Sequence, residues 1–420
     1  MILGILSSAG AAAPKYYFAS ATTSGVSKSF GITSDTTDNL YLTGQAIVSG
    51  SKYAFSSKYD SSFANSWKRQ LATGADNDSS NIVVDSSGNT YATFQWNSGG
   101  LIYGGVLKYN SSGTLQWQRQ MTPAVQQLFF NGITLDSSNN VIVAGTHSDP
   151  SGTASGLVVK YNSSGTLQWQ KEVTIVYGTV FAGVTVDSSD NVIVTGYQSS
   201  AGPNLANVIK LDSSGTKVWH RTLTATSSAL GDGVATSGTD IYACGRGYFT
   251  NFDAYLVKYN SSGTLQWQRT LSGASGGEFY NISTDSSGNV YVVGYNSSNA
   301  LIVKYNSSGT LQWQRNLSIS TRTLRNQSIK ITNSGLFFSG WKTGTVTDVL
   351  FGKLPTDGTK TGTYTLSGQS IVYSASSLTD AAGGLTDAAG TSTVATSTKT
   401  DAASTLTESA MTSTDASVQL

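Results

Sequence analysis

The stretch KYNSSGTLQWQR at Lys108–Arg119 recurs unchanged at Lys258–Arg269 and Lys304–Arg315. Three altered copies occupy Lys58–Arg69, Lys160–Lys171 and Lys210–Arg221. Each copy contains one tryptophan, and the six are Trp67, Trp117, Trp169, Trp219, Trp267 and Trp313. Their spacings of 50, 52, 50, 48 and 46 residues indicate a structural repeat of about 50 residues.

A second motif alternates with the first, and its clearest copy is DSSGNVYVVG at Asp285–Gly294. The other six copies are Asp35–Gly44, Asp85–Phe94, Asp136–Gly145, Asp187–Gly196, Ser237–Gly245 and Asn333–Gly340. Their apolar runs are short, rich in β-branched residues and bounded by Gly, Asn or Asp. Such runs are typical of buried strands.

Each unit contains four predicted strands, which in the sixth unit are Tyr280–Thr284, Val290–Tyr295, Leu301–Tyr305 and Thr310–Arg315. The DSSG and NSSG segments between them favour tight turns, because Asp and Asn bond the backbone two residues on and Gly tolerates positive φ. Seven such units predict an all-β protein, a seven-bladed β-propeller of four-stranded blades. The six repeat tryptophans are predicted to act as wedges between blades.

Ring closure has two candidate strands, because only six of the seven units carry a tryptophan strand. The first is Lys15–Ala19 (KYYFA), whose Tyr17 precedes Asp35 by 18 residues, the spacing between tryptophan and aspartate in the sixth unit. The second is Thr363–Leu366, which follows the last unit. The register favours the N-terminal strand.

Residues 374–420 differ in composition: they contain no aromatic residue, and 30 of the 47 are Ala, Ser or Thr. A period of seven begins at Leu378 and places Leu385 and Leu406 in equivalent positions. An odd period cannot keep one face of a strand, but it can form a seam on a helix. The two interpretations are a helix stabilised by self-association or docking, and a disordered polar repeat. The predicted domains are an N-terminal docking arm (1–14), the propeller (15–366) and this heptad-repeat tail (367–420).

Composition gives few indications of chemistry. Charged residues make up 12% of the chain and the net charge is +1, so neither nucleic acid nor an anionic membrane is an expected partner. No apolar run is long enough for a membrane span. Cys244, His147 and His220 form no metal-binding pattern, and the acids sit mainly in repeated turns or the tail. The sequence therefore predicts no cofactor, no metal and no enzymatic activity.

Aromatic residues in the variable loops between strands D and A and between strands B and C suggest a binding face, since function usually resides in variable loops on a rigid scaffold. The candidate residues are Trp96, Tyr103, Phe129, Phe130, Tyr177, Phe181, Tyr248, Phe249, Phe252, Tyr280 and Trp341. A glycan or a protein is the expected partner.

The alternation of the two motifs resembles the bacterial β-propeller repeats called SBBP repeats. LDSSGTKVW at Leu211–Trp219 is also similar to the tryptophan-docking motifs of quinoprotein dehydrogenase propellers, without the residues that would hold their cofactor. The N-terminus, the KLPTDGTKTGTYT segment and the LTDAA heptads together resemble virion proteins of marine tailed bacteriophages.

That resemblance implies a structural tail or fibre component in the virion. Such a component would be a homo-oligomer that contacts other virion proteins through its N-terminal arm and C-terminal tail, and a host-surface glycan or protein through the propeller. The alternative is a secreted or cell-surface bacterial propeller that binds glycans.

Overall fold

The computed structural model is an all-β seven-bladed propeller with four-stranded blades. It describes residues 17–22, 27–48, 50–72, 77–122, 127–148, 153–175, 177–249, 251–273, 276–296, 299–319, 324–342, 348–366, 369–389, 393–396, 400–403, 407–410 and 414–419. The predicted arm at 1–14 lies outside the described residues.

Within each blade, strands A to D form an antiparallel meander from the axis outward. Blade 1 contains Ser27–Ser34, Leu40–Val48, Ser51–Tyr59 and Asn65–Ala72. Blade 2 has its strand A in two pieces, Asn77–Asp78 and Ile82–Val84, followed by Thr90–Ser98, Leu101–Tyr109 and Leu115–Thr122. Blade 3 contains Leu128–Leu135, Val141–Ser148, Ala154–Tyr161 and Leu167–Thr174.

The remaining blades repeat this order. Blade 4 contains Thr179–Val186, Val192–Gln198, Leu205–Leu211 and Lys217–Thr224. Blade 5 contains Ser228–Ser237, Asp240–Tyr248, Phe252–Tyr259 and Leu265–Ser272. Blade 6 contains Glu278–Thr284, Val290–Asn296, Asn299–Tyr305 and Leu311–Ile319. Blade 7 contains Leu324–Thr332, Gly335–Lys342 and Asp348–Leu354 from the C-terminal side, and Tyr17–Thr22 as strand D.

The N-terminal strand therefore closes the ring, because Tyr17–Thr22 pairs antiparallel with Asp348–Leu354. The prediction from the register of Tyr17 is confirmed. The competing segment lies in Gly362–Leu366, which instead pairs with Gln369–Ala375 at the outer edge of blade 6.

Each repeat tryptophan docks onto the turn that follows strand C of the next blade. The Trp267 Nε1 donates to the Ser307 carbonyl at 3.1 Å, and Arg269 Nε donates to the Gly309 carbonyl at 2.6 Å. Gly309 has φ +80°, and a Cβ there would lie 2.7 Å from the Trp267 ring. The motif thus needs glycine for two reasons: the backbone has a positive φ, and a side chain would collide with the indole above the turn. All six tryptophans make the corresponding indole hydrogen bond.

The seam between blades 7 and 1 is packed differently. Strand D of blade 7 brings no tryptophan, and blade 1 has Phe63 where the other turns have glycine, with φ 65°. The Phe63 ring is buried and stacks on Phe351 at 5.7 Å, and Tyr59 packs on the same ring at 4.7 Å. A phenylalanine fits there because no indole occupies the space above the turn.

The described part of the C-terminal tail consists of strands, which differs from both the helix and the disordered repeat that the heptads allowed. Seven tail strands each pair with the outermost strand of one blade, in the order blade 6, 5, 4, 3, 2, 1 and 7. Their bounds are Gln369–Ala375, Thr379–Ala382, Thr386–Ala389, Thr393–Thr396, Thr400–Ala403, Thr407–Ala410 and Thr414–Gln419.

The period of seven has a simple cause in this arrangement. Four residues of each heptad pair with one blade, and the remaining three connect to the strand on the next blade. Each heptad therefore pairs with its own blade in the same register. Leu385 is buried between blades 4 and 5, and Leu378 packs against the cluster between blades 5 and 6. Gln314 Nε2 and Gln268 Nε2 donate to the carbonyls of Leu378 and Leu385 at 2.7 and 3.0 Å. Leu406 lies outside the described residues.

Candidate functional site

Strand A of six blades carries a one-residue bulge at the same level of the ring. The bulged residues are Phe30, Asn131, Ala182, Asp232, Tyr280 and Gln327. Bulges re-aim side chains and are common beside functional sites. These positions differ from blade to blade, whereas the outer strands repeat almost unchanged.

The bulges surround an axial cavity of about 510 Å³, lined by strand A residues from all seven blades. Phe30, Asn131, Ala182, Asp232 and Tyr280 all contribute to its wall. Asn131 is oriented by its Nδ2, which donates to the Phe181 carbonyl at 2.6 Å. The cavity therefore presents a ring of unlike side chains on a rigid, symmetric frame.

A polar cluster of blades 5 and 6 adjoins this cavity through Asp232 and Tyr280, which line it. Arg246 Nη1 lies 2.9 Å from Glu278 Oε2, and the Tyr280 hydroxyl donates to the same oxygen. Asp232 lies beside this group, and burial raises the pKa of its carboxyl from 3.8 to about 7, with Arg246 opposing and Glu278 adding to the shift. The Asp232 carboxyl can therefore act as a hydrogen-bond donor near neutral pH.

The raised pKa of Asp232 predicts a pH-dependent effect of Asp232→Asn. Its pKa is higher in the folded chain than in the unfolded one, so the wild type loses stability as pH rises from about 4 through 7. We expect the stability of the Asn variant relative to wild type to rise by roughly 2–3 kcal/mol between pH 5 and pH 8. Urea unfolding at both pH values measures this, and a difference that does not change with pH would contradict it.

The structure pairs several aromatic residues of the sequence-predicted face. Trp96 stacks on Tyr103 with ring centroids 4.6 Å apart, and Tyr248 meets Phe252 edge-on at 5.2 Å. Tyr177, Tyr248 and Phe252 are 55%, 38% and 43% exposed. Trp96, Tyr103, Tyr248 and Phe252 lie in strands B and C near the turns that join them, not in loops. Tyr177 lies in the connection from strand D of blade 3 to strand A of blade 4.

Other members of that set are less available to a partner. Trp341 is half-buried and packs edge-on against Phe30 at 5.5 Å, with the Lys28 ammonium 5.5 Å from its ring. Phe129 is half-buried, and Phe249 packs against the cluster between blades 4 and 5.

Phe130 and Phe181 require a correction as binding residues. Both are buried in clusters that join adjacent blades. Phe181 also fills the space beside Gly156, where a Cβ would lie 2.4 Å from its ring. They face the neighbouring blade because they precede the bulges, which reverse the direction of the following side chain.

Sequence reasoning did not single out Asn131, Asp232, Arg246, Glu278 or Lys330. Their signal was a departure from the repeat, a charged or amide residue where sister blades have small or apolar ones. This departure is visible only when equivalent strand A positions of the seven blades are aligned by the strand register. The bulges and the interrupted strand A of blade 2 change the sequence spacing between these equivalent positions.

The described residues contain no helix that is long and apolar enough to cross a membrane. Within the same residues, no group of three or more His, Cys, Asp or Glu side chains converges as a metal ion would require. Cys244 is a buried free thiol in the core between blades 5 and 6.

Solved structures similar to this chain share the propeller fold. Polysaccharide lyase Uly1 aligns with a TM-score of 0.52 at 6% identity, over 78% of this chain and 90% of its own. Sqt1 from Chaetomium thermophilum has a TM-score of 0.47 at 10% identity, over 85% and 98% of the two chains. A glucose dehydrogenase has a TM-score of 0.41 at 10% identity, over 69% and 99%. No curated protein sequence matches the chain.

The prediction that the chain is not an enzyme is contradicted, because a polysaccharide lyase shares this fold, so the fold accommodates catalysis. The absence of a recognisable sequence motif therefore does not exclude enzymatic activity.

One family model matches the sequence in two overlapping segments, residues 103–324 and 204–417, and is described as outer membrane protein assembly factor BamB. The overlap reflects the internal repeat, since the same family model aligns with two different sets of consecutive blades. The match identifies neither SBBP repeats nor a virion protein. Because the two segments together cover more than half of the 420 residues, the chain belongs to this BamB-type propeller-repeat family.

Proposed function

We propose that the propeller binds a saccharide at the mouth of its axial cavity. The observation that carries the proposal is the ring of bulges, which places unlike polar and aromatic side chains around one cavity of about 510 Å³. Sugars are recognised by such mixtures, because hydroxyls pair with amides and carboxyls while the C–H faces of the ring stack on aromatic side chains.

The polar cluster supports this ligand class. Glu278 is oriented by both Arg246 and Tyr280, which together form a group of hydrogen-bond donors and acceptors. Asp232 adds a carboxyl that carries a proton near neutral pH. Neutral hydroxyl groups can both donate to and accept from such an array.

The test is a glycan array screened with the purified chain, followed by titration of any hit into variants. Asn131→Ala combined with Tyr280→Phe removes two polar contacts of the cavity and is expected to weaken saccharide binding by about 10-fold or more. Ser262→Ala, in a repeated turn on the opposite face, is the matched control and should leave binding unchanged. A panel without hits, or hits that ignore the cavity variant, would contradict the proposal.

A second candidate is docking of a protein on the exposed pair Tyr248 and Phe252. The specific observation is their exposure at 38% and 43%, in a chain whose family model is described as an assembly factor. Tyr248→Ser with Phe252→Ser distinguishes the two functions, since it alters the rim and leaves the bulge ring intact.

The position in a virion, the alternative secreted or cell-surface location and the homo-oligomeric state stay predictions. So do the contacts of the N-terminal arm and tail with other virion proteins.

A further inference from the structure

We propose that Lys330 forms an anion subsite in the axial channel, so that the ligand is an acidic saccharide bearing a carboxylate or sulfate group. This inference rests on the proposed function for the identity of the ligand. Three features of the structure support the subsite: the register of strand A, the lack of a partner for the Lys330 ammonium among the described residues, and the position of Lys330 between two cavities.

The strand register shows that Lys330 is a departure from the repeat. Lys330 is paired with Phe337 of strand B, and the residues at the same register in blades 1 to 6 are Thr33, Val83, Thr134, Thr185, Ala235 and Ser283. Six blades place a small or β-branched uncharged residue beside the channel. Only blade 7 places a long cation there.

The Lys330 ammonium has no hydrogen bond or ion pair with any described residue, and burial lowers the pKa of its amine from 10.5. The acids that line the cavity on the A–B turn face together with Lys330 are already engaged. Asp38 accepts from Lys353 Nζ at 2.8 Å, Asp35 accepts from Asn39 and Tyr41, and Asp85 accepts from Asn89 and Tyr91. The Lys330 side chain is partly buried, so its charge would be stabilised by an opposite charge, which an external anion would supply and the described residues do not.

Lys330 also lies where two cavities meet. It lines the axial cavity together with Ser328 and Ile329, and it lines a cavity of about 660 Å³ on the A–B turn face together with Thr332 and Ser334. An acidic group of a sugar held at the bulge ring would reach this amine from inside the channel. The lysines at the start of the tryptophan motif do not offer this, since Lys108, Lys210, Lys258 and Lys304 bond to carbonyls of neighbouring turns.

The subsite is tested with simple anions before any saccharide. Sulfate and acetate are titrated at constant ionic strength, with chloride as the balance, into wild type, Lys330→Met and Lys217→Met. Lys217 is exposed on strand D of blade 4 and serves as the control for loss of one charge. We expect sulfate to raise the Tm of wild type and Lys217→Met, and to leave that of Lys330→Met unchanged. Equal shifts in all three would overturn the subsite.

The ligand class is tested with galacturonate and glucose 6-sulfate oligomers against their neutral galactose and glucose counterparts. We expect the acidic forms to bind about 10-fold more tightly, and Lys330→Met to remove the preference while neutral binding persists. Neutral and acidic sugars that bind equally would overturn the inference and leave the proposed function standing. Anion binding through Lys330 without saccharide binding would overturn the proposed function and leave the subsite standing.

Discussion

A chain truncated before Gln369 is expected to lose more than about 5 kcal/mol of stability and to self-associate. The missing strand Gln369–Ala375 contributes Ile371 and Tyr373, both buried against blades 6 and 7. Leu385 is removed as well, which opens the cluster between blades 4 and 5. The outermost strand of the blades would then present unpaired backbone groups, which are a template for association.

Urea unfolding and light scattering measure the two parts of this result. Tyr373→Ala tests the packing alone and should cost about 3–5 kcal/mol, since a large buried side chain is removed. Thr379→Ala, at an exposed tail position, should stay within about 0.5 kcal/mol. A truncated chain that is monomeric and has the urea midpoint of the full chain would show that the tail strands do not stabilise the ring.

Trp313→Ala is expected to cost about 3–5 kcal/mol. The indole is only 9% exposed, packs in the cluster between blades 6 and 7, and donates to the Thr356 carbonyl at 3.2 Å. Its ring also covers Gly358, where a Cβ would lie 2.8 Å from it. Replacing the indole by a methyl group therefore removes both its apolar burial and its contacts with the turn of the next blade.

The same substitution at Trp169 provides an internal comparison. Trp169 occupies the equivalent place between blades 3 and 4 but is only partly buried, so a smaller loss is expected. Gln312→Ala, next to Trp313 and exposed, controls for disturbance of the strand. Equal losses at Trp313, Trp169 and Gln312 would contradict a docking role that depends on burial.

The candidate site was less accessible to sequence reasoning than the fold. Tyr280 was identified as an aromatic residue of a variable loop, yet its role in the cavity depends on the bulge that turns it toward the axis. Asp232 stands between two glycines and belongs to neither repeated motif, so the sequence alone did not distinguish it. Its proximity to Arg246 and Glu278 arises only when blades 5 and 6 pack side by side.

The sequence by itself determined the number of blades, the four-strand unit and the N-terminal closure. Those features follow from local periodicity, from turn chemistry and from the spacing of Tyr17 and Asp35, which act over short stretches of chain. Tertiary structure alone decided the tail and the site. A heptad repeat is compatible with a helix that carries an apolar seam or with a series of short strands, one for each blade. The strands form here because the outermost strand of each blade offers unpaired backbone groups. The side chains of the cavity come from seven separate blades, so no local pattern could bring Lys330 and Asp232 to the same axis.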